Sequence, residues 1–149
     1  MQEKRVLIDA DACPRQVLAI AKRTCAEKGW SCITFASFNH QFTGENHVSV
    51  DAGPQAVDMK LANAATAGNI VVTQDIGLAA LILAKRAKAV SPHGTIFESE
   101  RISFFLEERN EKARFRRGGG RTRGPAARST ADDVRFSRAL QKLMEESED

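Results

Sequence analysis

The chain has 149 residues, of which 42% are hydrophobic, and a formal net charge of +3. This length and apolar content are typical of one domain with a single core, and no apolar run approaches the ~18 to 20 residues that span a bilayer. The N-terminus, with Glu3, Lys4 and Arg5 followed by only a few apolar residues, does not resemble a secretory signal. We therefore expect one cytoplasmic domain that covers residues 1–149.

The predicted secondary structure alternates between strands and helices. In chain order we predict strand 5–8, helix 14–28, strands 30–36 and 47–50, helix 54–67, strand 70–73, helix 76–87, a hairpin of 89–90 with 95–97, helix 100–112 and a last helix after 129. Strands that alternate with helices of about 10–15 residues predict a three-layer α/β fold with a mainly parallel sheet and helices on both faces.

The first predicted strand ends in two carboxylates. Asp9 follows the apolar run 6–8, and Asp11 comes two residues later, just before the first helix. In an open parallel sheet the ligand crevice lies beyond the carboxyl ends of the strands, so acids at a strand exit point into that crevice. Asp11 has a structural alternative, because acids are common near helix starts.

A second predicted strand, 70–73, also leads to an acid. Asp75 lies two residues beyond it and directly before a helix, so it could instead serve as a helix cap. Thr73 could also cap that helix, or could offer its hydroxyl to a metal-bound water. Both predicted strands therefore end beside candidate site residues.

Asp58 lies on the predicted helix 54–67. Helical spacing places it on one stripe with Leu61, Ala62 and Ala65, which suggests that it faces the core. A buried carboxylate needs a partner, a proton or a cation. The alternative is that Asp58 lies at the edge of this stripe and interacts with the positive end of its helix.

Separated acids that converge on one place are suited to a hard divalent cation. Mg²⁺ and Mn²⁺ prefer carboxylate oxygens and water as ligands. We predict that Asp9, Asp11, Asp58 and Asp75 form such a centre. A bound ion of this kind can promote hydrolysis of a phosphodiester.

A strongly basic segment lies near the C-terminus. Residues 109–128 contain eight Lys and Arg residues and one Glu, a net charge of +7, so the rest of the chain must sum to −4. Arginine is well suited to bidentate phosphate contacts. Because residues 116–128 also contain several glycines, we predict a flexible Arg/Gly-rich loop whose Arg116, Arg117, Arg121 and Arg123 follow a nucleic-acid backbone.

The cysteines, Cys13, Cys25 and Cys32, show no C-x-x-C spacing, so we predict neither a disulfide framework nor a zinc site. Cys13 lies beside a predicted helix start, where the pKa of a thiol can be lowered. No histidine is near it in sequence, so we assign it no catalytic role.

Several motifs together resemble the YaiI/YqxD family of bacterial proteins. They are D-A-D-A-C-P at 9–14, V-D at 57–58, V-V-T-Q-D-I-G-L-A-A at 71–80, S-P-H-G at 91–94 and T-R-G-P at 122–125. The resemblance implies a PIN-like domain with an acidic, Mg²⁺- or Mn²⁺-binding centre of the kind found in ribonucleases. The acids that match the family motifs are Asp9, Asp11, Asp58 and Asp75. Gly77 replaces the proline of the family's D-I-P-L-A run.

The leading functional prediction is a metal-dependent nuclease that acts on RNA. Two alternatives remain open at this point. One is a phosphatase of the haloacid-dehalogenase type, in which Asp9 is the nucleophile and Asp11 the acid/base. The other is a non-catalytic RNA-binding or regulatory protein with the same fold.

Overall fold

The computed structural model describes residues 4–37, 46–50, 54–119 and 127–147. Within them, six strands form one sheet: β1 (Arg5–Asp9), β2 (Ser31–Ser37), β3 (His47–Val50), β4 (Ile70–Val72), β5 (Lys88–Val90) and β6 (Ile96–Phe97). The strand order is β3-β2-β1-β4-β5-β6, in which the first five strands are parallel and β6 is antiparallel to β5. The predicted mainly parallel sheet is confirmed.

Helices cover both faces of this sheet. They are α1 (Arg15–Lys28), α2 (Pro54–Ala64), α3 (Ile76–Ala84), α4 (Ser99–Arg117) and α5 (Thr130–Ser147), with a short 3-10 turn at Ala10–Ala12. Apolar residues of α1 and α5 pack against one face, whereas those of α2, α3 and α4 pack against the other. The predicted three-layer α/β arrangement is therefore confirmed.

None of the helices in the described ranges is long and apolar enough to cross a membrane. The most apolar helix, α3, has only nine residues. A bilayer-spanning helix needs about 20 residues.

Two helices end three residues before their predicted ends. After α2, Arg5 Nη2 donates a hydrogen bond to the carbonyl of Ala64, 2.8 Å away. After α3, which ends at Ala84, Arg86 has a left-handed φ of 66°, and the N–H of Ala87 bonds back to the carbonyl of Ile82 at 3.2 Å. A bond from distant Arg5 at the end of α2 and a local bond at the end of α3 thus accompany the stop of each helix, which the apolar pattern alone would continue.

Helix α4 is longer than predicted. It continues to Arg117, five residues past the expected end at 112, so Arg116 and Arg117 lie in its last turn and not in a loop. The helix has no glycine or proline before Gly118, and Lys112 Nζ lies 3.4 Å from Glu108 Oε1 one turn earlier. The prediction was wrong here because arginine-rich sequence next to glycines was assigned to the loop, although arginine is a good helix former.

Candidate functional site

The carboxyl ends of β1 and β4 bring two predicted site residues together. In the parallel register Ile8 lies opposite Val72, so Asp9 and Thr73 follow at the same level of the sheet. Thr73 Oγ1 donates a hydrogen bond to Asp9 Oδ2 at 3.2 Å. The buried Thr73 hydroxyl therefore holds the orientation of the Asp9 carboxylate at the sheet edge.

Asp75 is joined to the same group of residues and caps α3. Its backbone N–H donates to Thr73 Oγ1 at 3.0 Å, while its Oδ1 accepts hydrogen bonds from the N–H groups of Gly77 (2.9 Å) and Leu78 (3.3 Å). The structural alternative for Asp75, an N-cap, is thus confirmed. The second carboxylate oxygen is not used by these two cap bonds.

Asp11 lies in the 3-10 turn after β1 and is tied to β2. Both of its carboxylate oxygens accept from the backbone N–H of Ser37, at 3.1 and 3.0 Å, and Oδ1 also accepts from the Ser37 hydroxyl at 3.1 Å. Ser37 is the last residue of β2. The exposed Asp11 side chain is therefore held at the same edge of the sheet as Asp9.

Asp58 approaches this edge from α2 and is half-buried. The pKa of its carboxyl is raised to about 7, and burial is the largest cause. A hydrogen bond between the protonated Asp58 and Asp75 and the negative charges of Asp9, Asp75 and Asp11 contribute the rest of this rise in pKa. Asp58 therefore lies within electrostatic reach of all three other predicted acids, because each of them disfavours its ionisation.

The environment of Asp9 shows the same crowding of negative charge. Burial raises the pKa of the Asp9 carboxyl, the hydrogen bond from Thr73 lowers it, and the charges of Asp11 and Asp75 raise it again. Two members of the group thus have raised pKa values because they are desolvated beside like charges. Such a group gains most from a nearby cation.

The donor chemistry of these acids fits Mg²⁺ or Mn²⁺, which prefer carboxylate oxygens. In the part of the chain that the structure describes, however, no group of three or more His, Cys, Asp or Glu side chains forms a ready-made metal cluster. An ion bound by three of these carboxylates would have to draw them closer together than they stand here.

The four arginines predicted to bind nucleic acid fall into two groups. Arg116 and Arg117 are exposed at the end of α4, whereas Arg121 and Arg123 lie outside the described residues. Arg128, at the far end of the basic segment, is held in place: its Nε donates to Asp133 Oδ1 at 2.8 Å, and its Nη1 donates to the carbonyl of Pro92 at 2.8 Å.

The thiol of Cys13 is close to both the end of the basic segment and the acids. The pKa of this thiol is raised to about 12, mainly by burial; the charge of Arg128 opposes this rise and that of Asp9 adds to it. The expectation that the helix start lowers this pKa is wrong, because burial outweighs it. Since both Arg128 and Asp9 act on this one thiol, the basic segment returns to the body of the protein beside the acidic edge.

A groove between α2 and α3 opens next to two of the acids. This α2–α3 groove has a volume of about 750 Å³, and its lining consists of Asp58, Met59, Ala62, Asn63, Asp75, Gly77, Leu78, Leu81, Ala84 and Lys85. Lys85 Nζ donates to the carbonyl of Ala62 at 2.5 Å, which links the two helices across the groove.

Comparison with known proteins identifies the family. A model described as the uncharacterised YaiI/YqxD family matches residues 7–146. The chain belongs to the YaiI/YqxD family. Relatives in this family include a UPF0178 protein of Heliobacterium modesticaldum, which is 47% identical over 95% of this chain and 97% of its own length. A UPF0178 protein of Exiguobacterium sibiricum is 37% identical over 97% of this chain and 99% of its own length. No solved structure matches the chain.

Sequence reasoning missed several residues around the YaiI/YqxD acids. Ser37, which holds Asp11, ends a strand next to β1, so its position at a strand exit was a usable signal. The lining of the α2–α3 groove gave no such signal, because the contact between Ala62 on α2 and Lys85 beyond α3 depends on how two helices pack.

Proposed function

We propose that this protein is a metal-dependent nuclease that hydrolyses phosphodiester bonds in RNA. The observation that carries the proposal is the convergence of four carboxylates from three segments of the chain at the carboxyl edge of one parallel sheet. Asp58 best supports it, because its pKa of about 7 depends in part on the charges of the other three acids. Ligands in open α/β sheets bind at this edge.

In this proposal, Mg²⁺ or Mn²⁺ would be held by Asp9, Asp58 and Asp75, directly or through water. The ion would supply Lewis-acid polarisation of the phosphate and a lowered pKa for water. Thr73 would keep Asp9 Oδ2 oriented through its hydroxyl. Asp11, held by Ser37, would ligate the ion or accept a hydrogen bond from the attacking water.

The basic segment would contact the RNA backbone. Arg116 and Arg117 extend from the exposed end of α4, and the segment returns at Arg128 close to Cys13 and the acidic edge. Arg121 and Arg123, which lie outside the described residues, come between these two points in the sequence and would contact the same RNA strand. Phe115, which is exposed beside Arg114 and Arg116, offers a surface on which a base can stack.

One observation favours a second candidate function, a non-catalytic RNA-binding protein. The carboxylates of Asp11 and Asp75 both accept hydrogen bonds from backbone N–H groups, as carboxylates with a purely structural role do. The phosphatase alternative is less well supported. Both oxygens of Asp11 accept from Ser37 and so are not directed at a leaving group beside Asp9.

The test is Mn²⁺-dependent cleavage of single-stranded and duplex RNA and DNA. We expect the wild type to cut RNA, and Asp9→Asn to lose at least about 100-fold in rate, since even changes that only reorient metal ligands cost about 10- to 100-fold. EDTA should abolish cleavage. Glu145→Gln, an exposed change on α5, is the matched control and should cut normally.

The same assay separates the alternatives. If the folded wild type binds RNA but cuts nothing with Mn²⁺ or Mg²⁺, the RNA-binding function replaces the nuclease. If it hydrolyses a small phosphate monoester and leaves RNA intact, the phosphatase replaces it. Circular dichroism of each variant verifies that Asp9→Asn has kept the fold.

A further inference from the structure

The α2–α3 groove begins at the acids and leads away from them. Both helices follow parallel strands, so both begin at the carboxyl edge of the sheet, where Asp58 and Asp75 lie. The groove extends from there towards Asn63 and Lys85. Ten residues separate Asp75 from Lys85, which corresponds to about 15 Å along a helix. Its volume of about 750 Å³ falls within the range of small-ligand sites.

Part of the apolar lining of the groove does not belong to the hydrophobic core. Met59 is 69% exposed and Leu81 is 58% exposed, although Val57, Leu61 and Ile82 already supply the buried faces of the same two helices. Met59 and Leu81 both line the groove, together with the buried Leu78. They form an exposed apolar surface next to the acids, and such surfaces commonly mark ligand sites.

The polar groups of the groove are divided between its two ends. Carboxylates occupy the end near Asp58 and Asp75, while the ammonium of Lys85 is anchored at the other end by its bond to the Ala62 carbonyl. The amide of Asn63, also at this end, can both donate and accept hydrogen bonds. If one phosphate of a nucleic-acid strand lies at the acids, the strand therefore has a positive charge, that of Lys85, near it further along the groove.

We propose that the α2–α3 groove binds a nucleoside of single-stranded RNA, next to the phosphate held at the acids. The base lies against Met59 and Leu81, Asn63 contacts polar atoms of the base or sugar, and Lys85 attracts a phosphate further along the strand. This inference rests on the proposed function, because it assigns the substrate strand of the same site. It makes the groove the place where the protein distinguishes an unpaired strand from a duplex, whose stacked bases cannot enter it.

The first test observes binding without cleavage. Protein labelled with ¹³C at its methionine methyl groups is titrated with a short single-stranded RNA of mixed sequence, once in EDTA and once in Ca²⁺. The signal of Met59 is identified as the one that disappears in Met59→Leu. We expect the RNA to shift this signal. Met144, which is 1% exposed and lies in the core with α1 and α5, is the internal control and should not move.

The second test uses variants. Met59→Ala and Leu81→Ala should each weaken RNA binding about three- to ten-fold, because each removes apolar surface from the contact. Val134→Ala removes an exposed apolar side chain from α5, on the other side of the sheet, and should leave the affinity unchanged. Duplex RNA of the same sequence should not shift Met59.

The outcomes separate this inference from the nuclease itself. If RNA shifts Met59 and no RNA is cut, the nuclease fails and the groove assignment stands. If RNA is cut but neither Met59 nor the two alanine variants respond, the groove assignment is overturned and the nuclease stands. A Met59 signal that shifts with protein concentration in the absence of RNA would assign the groove to a second copy of the chain and would also overturn the inference.

Discussion

Helices α4 and α5 are almost equally long, at 19 and 18 residues, yet they relate to the rest of the protein in opposite ways. In α5, the buried Phe136, Leu140 and Leu143 recur at helical spacing and pack against α1 and the sheet. In α4, Ile102 is buried and Leu106 half-buried, but beyond Leu106 the described side chains are exposed except for the half-buried Ala113.

The two helices therefore have different expected roles. Helix α5 contributes to stability, and the second half of α4 to the proposed contacts with RNA. The start of α5 is fixed twice. Ser129 and Asp132 exchange hydrogen bonds there in a capping box, and a side chain at Gly94 would lie within 2.8 Å of the Arg135 backbone. The second half of α4 instead carries Phe115, Arg116 and Arg117 in contact with water. We expect substitutions in α5 to affect folding and those in the second half of α4 to affect binding.

The largest expected effect is a loss of stability when a buried side chain of α5 is removed. Leu140→Ala should lower the free energy of unfolding by about 2–5 kcal/mol, because it removes a fully buried side chain and leaves a cavity. Phe115→Ala also removes a large apolar side chain, but one that is 56% exposed, and should change this free energy by less than about 0.5 kcal/mol. Urea unfolding measures both. Similar losses in the two variants would show that α4 is packed as tightly as α5.

A smaller expected effect is the pH dependence of stability, which follows from the environment of the charged side chains on each helix. Helix α4 exposes its charges, whereas α2 places Asp58 among other carboxylates. The folded protein retains the Asp58 proton up to a pH of about 7, while the unfolded chain loses it near the ordinary pKa of 3.8. The wild type therefore loses stability as the pH rises between these values, and the loss persists above pH 7.

Asp58→Asn should remove this pH-dependent loss. In EDTA, we expect the variant to be more stable than the wild type by about 1–2 kcal/mol above pH 7, a figure reduced for the partial exposure of the side chain to water, and by nearly nothing below pH 4. Glu145→Gln on α5 serves as the control and should leave the pH profile unchanged. Parallel profiles for Asp58→Asn and wild type would contradict the crowding of acids at this edge.

The sequence was sufficient to predict where Asp9 and Asp75 lie in the fold, but not which residues hold the acids in place. Asp9 and Asp75 could be assigned to strand exits because an apolar run ends just before each of them, and that pattern is local. The bond from Ser37 to Asp11 depends on β2 lying beside β1, which is a property of strand order. Likewise, Gly118 marks where α4 can end, but whether the helix reaches it depends on the balance between helix propensity and neighbouring glycines.

The smallest expected effect concerns the exposed end of α4. Replacing Arg116 and Arg117 with glutamine should weaken single-stranded RNA binding about five-fold at low salt, at about 0.5 kcal/mol for each exposed contact. The slope of log affinity against log salt should become shallower by about 1.4, because about 0.7 counterions are released for each phosphate contact on a single strand. Stability should not change.

The control for this pair comes from the other helix. Arg138 and Lys142 are exposed on α5, so changing both to glutamine removes the same charge from the protein as a whole. If RNA binding depends only on net charge, the two double variants will have the same salt slope, and the basic end of α4 has no special role. If the slope changes only for Arg116 and Arg117, the RNA backbone lies along α4.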